Sequence, residues 1–116
     1  KENVIIKMNA SLFEWVIENL CKNAVDAMGG KLGSITLRLE ETDKRAIVEV
    51  SDTGKGIKKK DISNVFRPGF TTKKRGWGLG LSLAKRIVEE YHHGKIYVKN
   101  SEIGKGTTFR IELRKR

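Results

Sequence analysis

Cysteine and proline are nearly absent from this chain, which holds one of each, Cys21 and Pro68, in 116 residues. A lone thiol cannot close an internal disulfide and has no companion ligand for a metal, so a stapled or zinc-clustered scaffold is excluded and a reducing cytoplasm is the simplest setting. No apolar run reaches the roughly 18 residues that cross a bilayer, and no basic segment leads into an apolar stretch as in a signal peptide. A soluble domain that makes no membrane contact of its own is expected. There is no internal repeat and no low-complexity segment. With 38% hydrophobic residues the chain suffices for one core and is too short for two, so residues 1–116 are taken as a single domain.

Acidic residues are also scarce, 14 against 24 Lys and Arg, which leaves a formal charge of +10. Spread over one face, that charge would suggest nucleic acid or an anionic membrane. It is not spread. Lys55, Lys58, Lys59, Lys60, Arg67, Lys73, Lys74 and Arg75 face one acid, Asp61, and this segment alone carries +7. A small phosphate-rich ligand explains such a cluster at least as well as a polynucleotide, with a solvated basic loop as the plain alternative.

Val4, Ile6 and Met8 alternate with Ile5 and Lys7, which predicts a short first strand. Ser11 and Glu14 have the spacing of a capping box, and Leu12, Val16, Leu20, Ala24 and Ala27 recur at helical period until Gly29-Gly30. Ile35, Leu37 and Leu39 alternate with polar residues, and after Thr42-Asp43-Lys44 the segment from Ala46 to Val50 reads as the returning strand of a hairpin, with Asp52 at its end. A short helix fits Lys59 to Val65, and Arg67 to Trp77 has neither period and reads as a loop. Leu81, Ala84, Val88 and Tyr91 give a second long helix closed near Gly94; two strands follow, with Ile96 and Val98, then Phe109, Ile111 and Leu113, facing inward. Strands that alternate bury one face, so the helices are expected on one side of a mixed, largely antiparallel sheet: an α+β, two-layer α/β sandwich.

Three groups of residues carry candidate chemistry. Asn19 and Asn23 share a helix face with Asp26. Amide oxygens suit a hydrated magnesium ion, which takes few protein ligands, although the same amides could equally brace neighbouring loops. Asp52, in Asp52-Thr53-Gly54-Lys55-Gly56, sets a carboxylate beside backbone that can approach a flat ring. Ionised, it accepts only, which matches the exocyclic amine of adenine and not the oxygen of guanine; an empty turn is the alternative. Gly76, Gly78 and Gly80 lead into the second long helix, whose first amides lack internal partners and favour phosphate. The long basic loop before these glycines is wrong for a dinucleotide fold. His92 and His93 sit at a helix end where a basic residue suits the dipole, and are not read as catalytic.

With these elements in this order, the chain resembles the catalytic ATP-binding domain of bacterial sensor histidine kinases, in the superfamily shared with DNA gyrase, mismatch-repair ATPases and heat-shock chaperones. The resemblance covers essentially the whole chain: Asn19-Leu20-Cys21-Lys22-Asn23-Ala24 resembles the asparagine box, Asp52 to Ile57 the first glycine box, Phe66 to Lys73 the phenylalanine box, and Gly76 to Leu81 the second glycine box, with Gly104-Lys105-Gly106-Thr107 near the end. It implies the Bergerat-type fold, ATP and Mg2+ as ligands, Asn23 as metal ligand assisted by Asn19, and Asp52 on the adenine amine, with Gly56 and Thr107 near the ring. It also places Asp26, Gly54, Ile57, Phe66 and Thr72 in the nucleotide site, and sets Lys73, Gly76, Gly78, Leu79, Gly80 and Leu81 toward the phosphates. Phe66 to Trp77 would be a lid that orders when nucleotide binds.

Where ATP-hydrolysing members carry a water-activating glutamate, four residues before the metal-binding asparagine, this sequence has Asn19. An amide cannot take that proton, so the resemblance implies phosphate transfer to a histidine, with poor hydrolysis. That histidine would sit on a preceding dimerisation domain, which makes the chain a portion of a longer kinase whose further partner is a response regulator. Gly69 stands where an aromatic residue is frequent, and Trp77 where a small polar one is usual. A serine kinase of the anti-sigma type on the same fold and a basic nucleic-acid-binding module are the alternatives; the reading adopted expects no nucleic acid.

Overall fold

A computed structural model describes residues 10–67 and 80–114. The first strand predicted at residues 4 to 8 lies outside them. Helix α1, Ala10–Met28, buries Val16, Leu20 and Ala24 at the expected spacing. It starts before Ser11, which therefore lies in the first turn and not at the cap; Ala10, a strong helix former, extends the helix toward its N-terminus.

Strands β1 (Ile35–Glu41) and β2 (Arg45–Asp52) form the predicted hairpin, closed at Thr42, whose amide donates to the Arg45 carbonyl at 2.9 Å. A short 3-10 helix, Lys59–Asn64, follows. Beyond the undescribed residues come helix α2 (Gly80–Arg86), a π-helical continuation (Ile87–Tyr91), and strands β3 (Lys95–Glu102) and β4 (Gly106–Arg114). The sheet order is β1-β2-β4-β3, and every pairing among the described strands is antiparallel.

The two faces of the sheet differ as the alternation requires. Val50, Phe109, Ile111, Leu113 and Ile96 meet Val16, Leu20, Ala84, Ile87 and Val88 from the helices in one core. The helices thus lie on one side, the two-layer α/β sandwich expected. At the edge the coverage ends. Leu37 and Leu39 have the core-facing phase of β1 but remain 55% and 54% exposed, because α1 lies mainly over β2.

The π turn corrects the phase of the second helix. At regular period Tyr91 would follow Val88 into the core, yet it is 64% exposed and His92 is buried instead. A π turn spends an extra residue per turn, which rotates everything beyond Val88. The His92 ring lies 2.9 Å from the Ile87 carbonyl oxygen through Nδ1 and packs edge-on against Phe13, tying the end of this helix to α1. The ring is thus held by packing as well as by its place at the helix end.

The helix-free face buries a charged residue that alternation would leave in water. Glu49 is 1% exposed, covered by Lys99 (Nζ to Oε2, 3.0 Å), Arg38 (3.7 Å) and Arg110 (3.8 Å). A buried carboxylate is tolerated only when paired, and here three cations from β1, β3 and β4 lie over β2. Beside it the Tyr97 hydroxyl donates to Glu112 Oε2. That bond to a carboxylate, reinforced by burial, raises the phenol above its ordinary pKa of 10.0.

A raised pKa means that the fold favours the neutral phenol. Its contribution to stability is therefore fully present below pH 10.0 and is lost as pH climbs through the raised value. Urea unfolding as a function of pH should show a steeper alkaline loss of stability in the native chain than in Tyr97→Phe. Parallel profiles above pH 10.0 would contradict this assignment.

Candidate functional site

The end of β2 and the C-terminal half of α1 are joined backbone to backbone. The Lys55 amide donates to the Ala27 carbonyl at 2.9 Å, and a Cβ on Gly54 would lie 2.6 Å from that carbonyl carbon and oxygen. Only a residue without a side chain permits this approach. It brings the Asp52 turn against the helix that carries Asn19, Asn23 and Asp26.

Asp52 is 9% exposed at the last position of β2. Its Oδ1 accepts the Gly54 amide at 2.8 Å, an Asx turn that fixes the carboxylate. Among the described residues Oδ2 has no hydrogen-bond partner, which leaves an acceptor available to a ligand. Across the ladder Asp52 pairs with Thr107, also buried. Gly106, just before it, has φ +133°, and a Cβ there would stand 2.0 Å from the Asp52 carbonyl oxygen.

The other glycine of the turn is as tightly held. Gly56 abuts the Glu102 carbonyl, and Lys55 accepts the Gly104 amide at 2.9 Å, so the β3–β4 turn packs on the first glycine segment. The Ile57 amide donates to Ser101 Oγ at 2.8 Å, and Ser101 Oγ lies 2.7 Å from Thr107 Oγ1. At the opposite end Asn19 Oδ1 sits where a Cβ on Gly80 would fall, 2.5 Å away, which joins the asparagine helix to the start of α2.

Of the residues singled out from the sequence, Asn19 with Gly80 and the set of Asp52, Gly54, Gly56, Ile57 and Thr107 are therefore brought together along α1. Asn23 is half-buried on the helix between these two contacts, with Asp26 exposed one turn on. Leu81 packs against the core at the start of α2. Phe66 stands apart: its ring meets Phe109 edge-on at 6.0 Å, with Lys85 Nζ 5.7 Å from its centre, so it anchors the start of the loop to the core. Thr72, Lys73, Gly76, Gly78, Leu79 and Trp77 lie outside the described residues.

Sequence reasoning missed Ser101, Thr53 and Ser34. The Thr53 hydroxyl accepts the Ser34 amide at 2.9 Å and closes the far side of the turn. Only strand register could have pointed to Ser101, since it stands opposite Thr107.

The donor set fits a hard cation that brings its own ligands. Among the described residues no three His, Cys, Asp or Glu side chains gather to form a protein cage for a metal. Two carboxamides on one helix, with Asn19 against the entry to α2, match magnesium shared with phosphate oxygens and water.

Comparison with known proteins agrees with this arrangement. Residues 8–116 match the family described as histidine kinase-, DNA gyrase B- and HSP90-like ATPase. The chain belongs to that family. It is 38% identical over 115 residues to sporulation kinase D of Bacillus subtilis (strain 168), covering 97% of this chain and 22% of that kinase. The catalytic domain of the histidine kinase ThkA superposes with a TM-score of 0.83 at 34% identity, over 95% of this chain and 71% of that one. Full-length ShkA, solved in complex with AMPPNP, gives 0.79 at 27% identity over 90% of this chain and 21% of that one. The chain thus spans less than a quarter of the curated relative's length. Among the described residues no helix is long and apolar enough to cross a membrane.

The Gly54 contact supplies a direct test of the site's framework. Gly54→Ala forces the turn away from Ala27, and a loss of about 1–3 kcal/mol is expected from such overpacking. Urea unfolding would measure it, and hydrogen exchange should show the Lys55 amide losing protection before the strand amides do. Unchanged protection at Lys55 would contradict the role given to the contact.

Proposed function

We propose that this chain binds Mg-ATP between α1 and α2 and positions its terminal phosphate for transfer to a histidine on a separate dimerisation domain of the same kinase. The observation that carries the reading is the fixed carboxylate of Asp52, held by the Gly54 amide with its second oxygen unpartnered among the described residues, beside the buried Thr107. An acceptor held in that way suits the exocyclic amine of adenine and repels the carbonyl oxygen of guanine. Gly54, Gly56 and Ile57 supply the backbone wall against which the ring would lie.

In this reading Asn23, assisted by Asn19 and near Asp26, would hold a magnesium ion, which would neutralise phosphate charge. Lys73 and the amides of Gly76, Gly78, Leu79, Gly80 and Leu81 would meet the phosphates, with Phe66 at the start of the lid and Thr72 within it. Transfer of a phosphoryl group needs mainly positioning and charge stabilisation from the protein, and these residues offer both. A carboxylate at position 19 would be needed to take a proton from water. Asn19 has none to offer, which supports transfer over hydrolysis.

The likeness to histidine kinases supports a place in two-component signalling; a response regulator as the downstream acceptor and the cytoplasm as the site of action complete the proposal. The likeness to the histidine kinase ThkA favours this over an anti-sigma type serine kinase on the same fold, and the family match favours it over a nucleic-acid module.

Calorimetry with ATP, ADP and GTP, with and without magnesium, tests the reading. Asp52→Ala should abolish measurable ATP binding while the fold, followed by circular dichroism, stays intact; unchanged affinity would refute the adenine contact. Asn23→Ala should leave nucleotide binding indifferent to magnesium. Were the dependence to survive, the metal ligand would have to be sought elsewhere.

A further inference from the structure

Ser101 has no part in the resemblance and is not among the residues expected at the site, yet from β3 its hydroxyl joins two of the site's segments, the first glycine turn and the start of β4. It accepts the Ile57 amide at 2.8 Å, lies 2.7 Å from Thr107 Oγ1 and 3.3 Å from the Gly106 carbonyl oxygen. The residue is half-buried on β3, in register with Thr107 of β4.

A serine hydroxyl has one proton and two lone pairs. The Ile57 amide only donates, so it occupies a lone pair. The proton must then go to Thr107 or to Gly106. Two arrangements satisfy the serine. In one, Thr107 donates to Ser101 and Ser101 donates to the Gly106 carbonyl, a long contact for an O–H donor. In the other, Ser101 donates to Thr107 across a distance ideal for such a bond, and the Thr107 proton is turned away from Ser101. Among the described residues Thr107 Oγ1 has no other partner, so that second proton is available to a ligand beside Asp52, its neighbour across the ladder.

We propose that Ser101 is a positioning residue of the nucleotide cleft, whose hydroxyl directs the Thr107 proton toward a ring-nitrogen acceptor while holding Ile57 of the glycine turn in place. The inference rests on the adenine reading above. Adenine offers such an acceptor, N1, next to the amine assigned to Asp52. The resulting chain runs from the Ile57 N–H to Ser101, from Ser101 to Thr107, and from Thr107 to the ring. Each bond polarises the next, so the last donor is stronger than an isolated hydroxyl. A ring with carbon in place of N1 cannot draw the proton, and the relay falls back on Gly106.

Calorimetry of the 116-residue chain with Mg-ATP and with its 1-deaza analogue, which lacks that acceptor, reads the relay. The native chain should favour ATP by about tenfold, the size of one neutral hydrogen bond. Ser101→Ala should reduce the preference to less than about threefold and expose the Ile57 amide to exchange, as expected once a shared network loses its hub. Ser101→Thr, which keeps the hydroxyl, should restore both. If Ser101→Ala lowers both affinities equally and leaves their ratio at the native value, the residue only packs and the proposal is overturned. A native chain that binds ATP through Asp52 but does not distinguish the analogue overturns it as well, with the adenine reading intact. A native chain that binds no ATP, or binds it unchanged after Asp52→Ala, removes both.

Discussion

The contact of Gly54 with the Ala27 carbonyl sets the distance between helix and sheet on which the site is built. Because a Cβ would lie 2.6 Å from that backbone, helix and turn approach more closely than any side chain would allow. The Lys55 amide uses the same carbonyl at 2.9 Å, which closes the contact from the other side. Everything that converges on the proposed cleft depends on this spacing: Asp52 on one side of it, Asn23 and Asn19 along the helix, and Gly80 against Asn19 at the far end.

The sheet supports that spacing by being rigid on both faces for different reasons. On the helix side the support is close packing, with Leu20, Val50, Ile111 and Leu113 buried. On the open side it is electrostatic, since Glu49 draws Arg38, Lys99 and Arg110 over the four strands. Removing one cation would leave the buried carboxylate undercompensated, a costly state in an interior. The β2–β4 ladder, which holds Asp52 opposite Thr107, is the central pair of this doubly braced sheet.

Much of this was legible in the sequence because the governing periods are local. Val16, Leu20 and Ala24 mark a helix face, and Phe109, Ile111 and Leu113 mark a strand face, whatever lies across from them. The pairing of Asp52 with a glycine turn was equally plain. What the pattern could not give were effects set by partners distant in the chain. Glu49 looks like a solvent residue until three strands bring cations to it. Tyr91 looks inward until a π turn rotates it out and puts His92 in its place. Ser101 is an ordinary polar strand residue until the β3–β4 register sets it against Thr107 and the turn brings Ile57 within 2.8 Å.

The central claim is that separated segments form one nucleotide cleft on the helix side of the sheet. Amide NMR of the chain titrated with Mg-ATP tests it most directly. The account predicts that Asn23, Gly54, Ile57, Gly80 and Thr107 shift together with one saturation curve, while Ile47, Glu49 and Lys95, on the open face or its edge, stay unmoved. Shifts confined to the open face, or distinct saturation curves for the α1 and β2 residues, would contradict it.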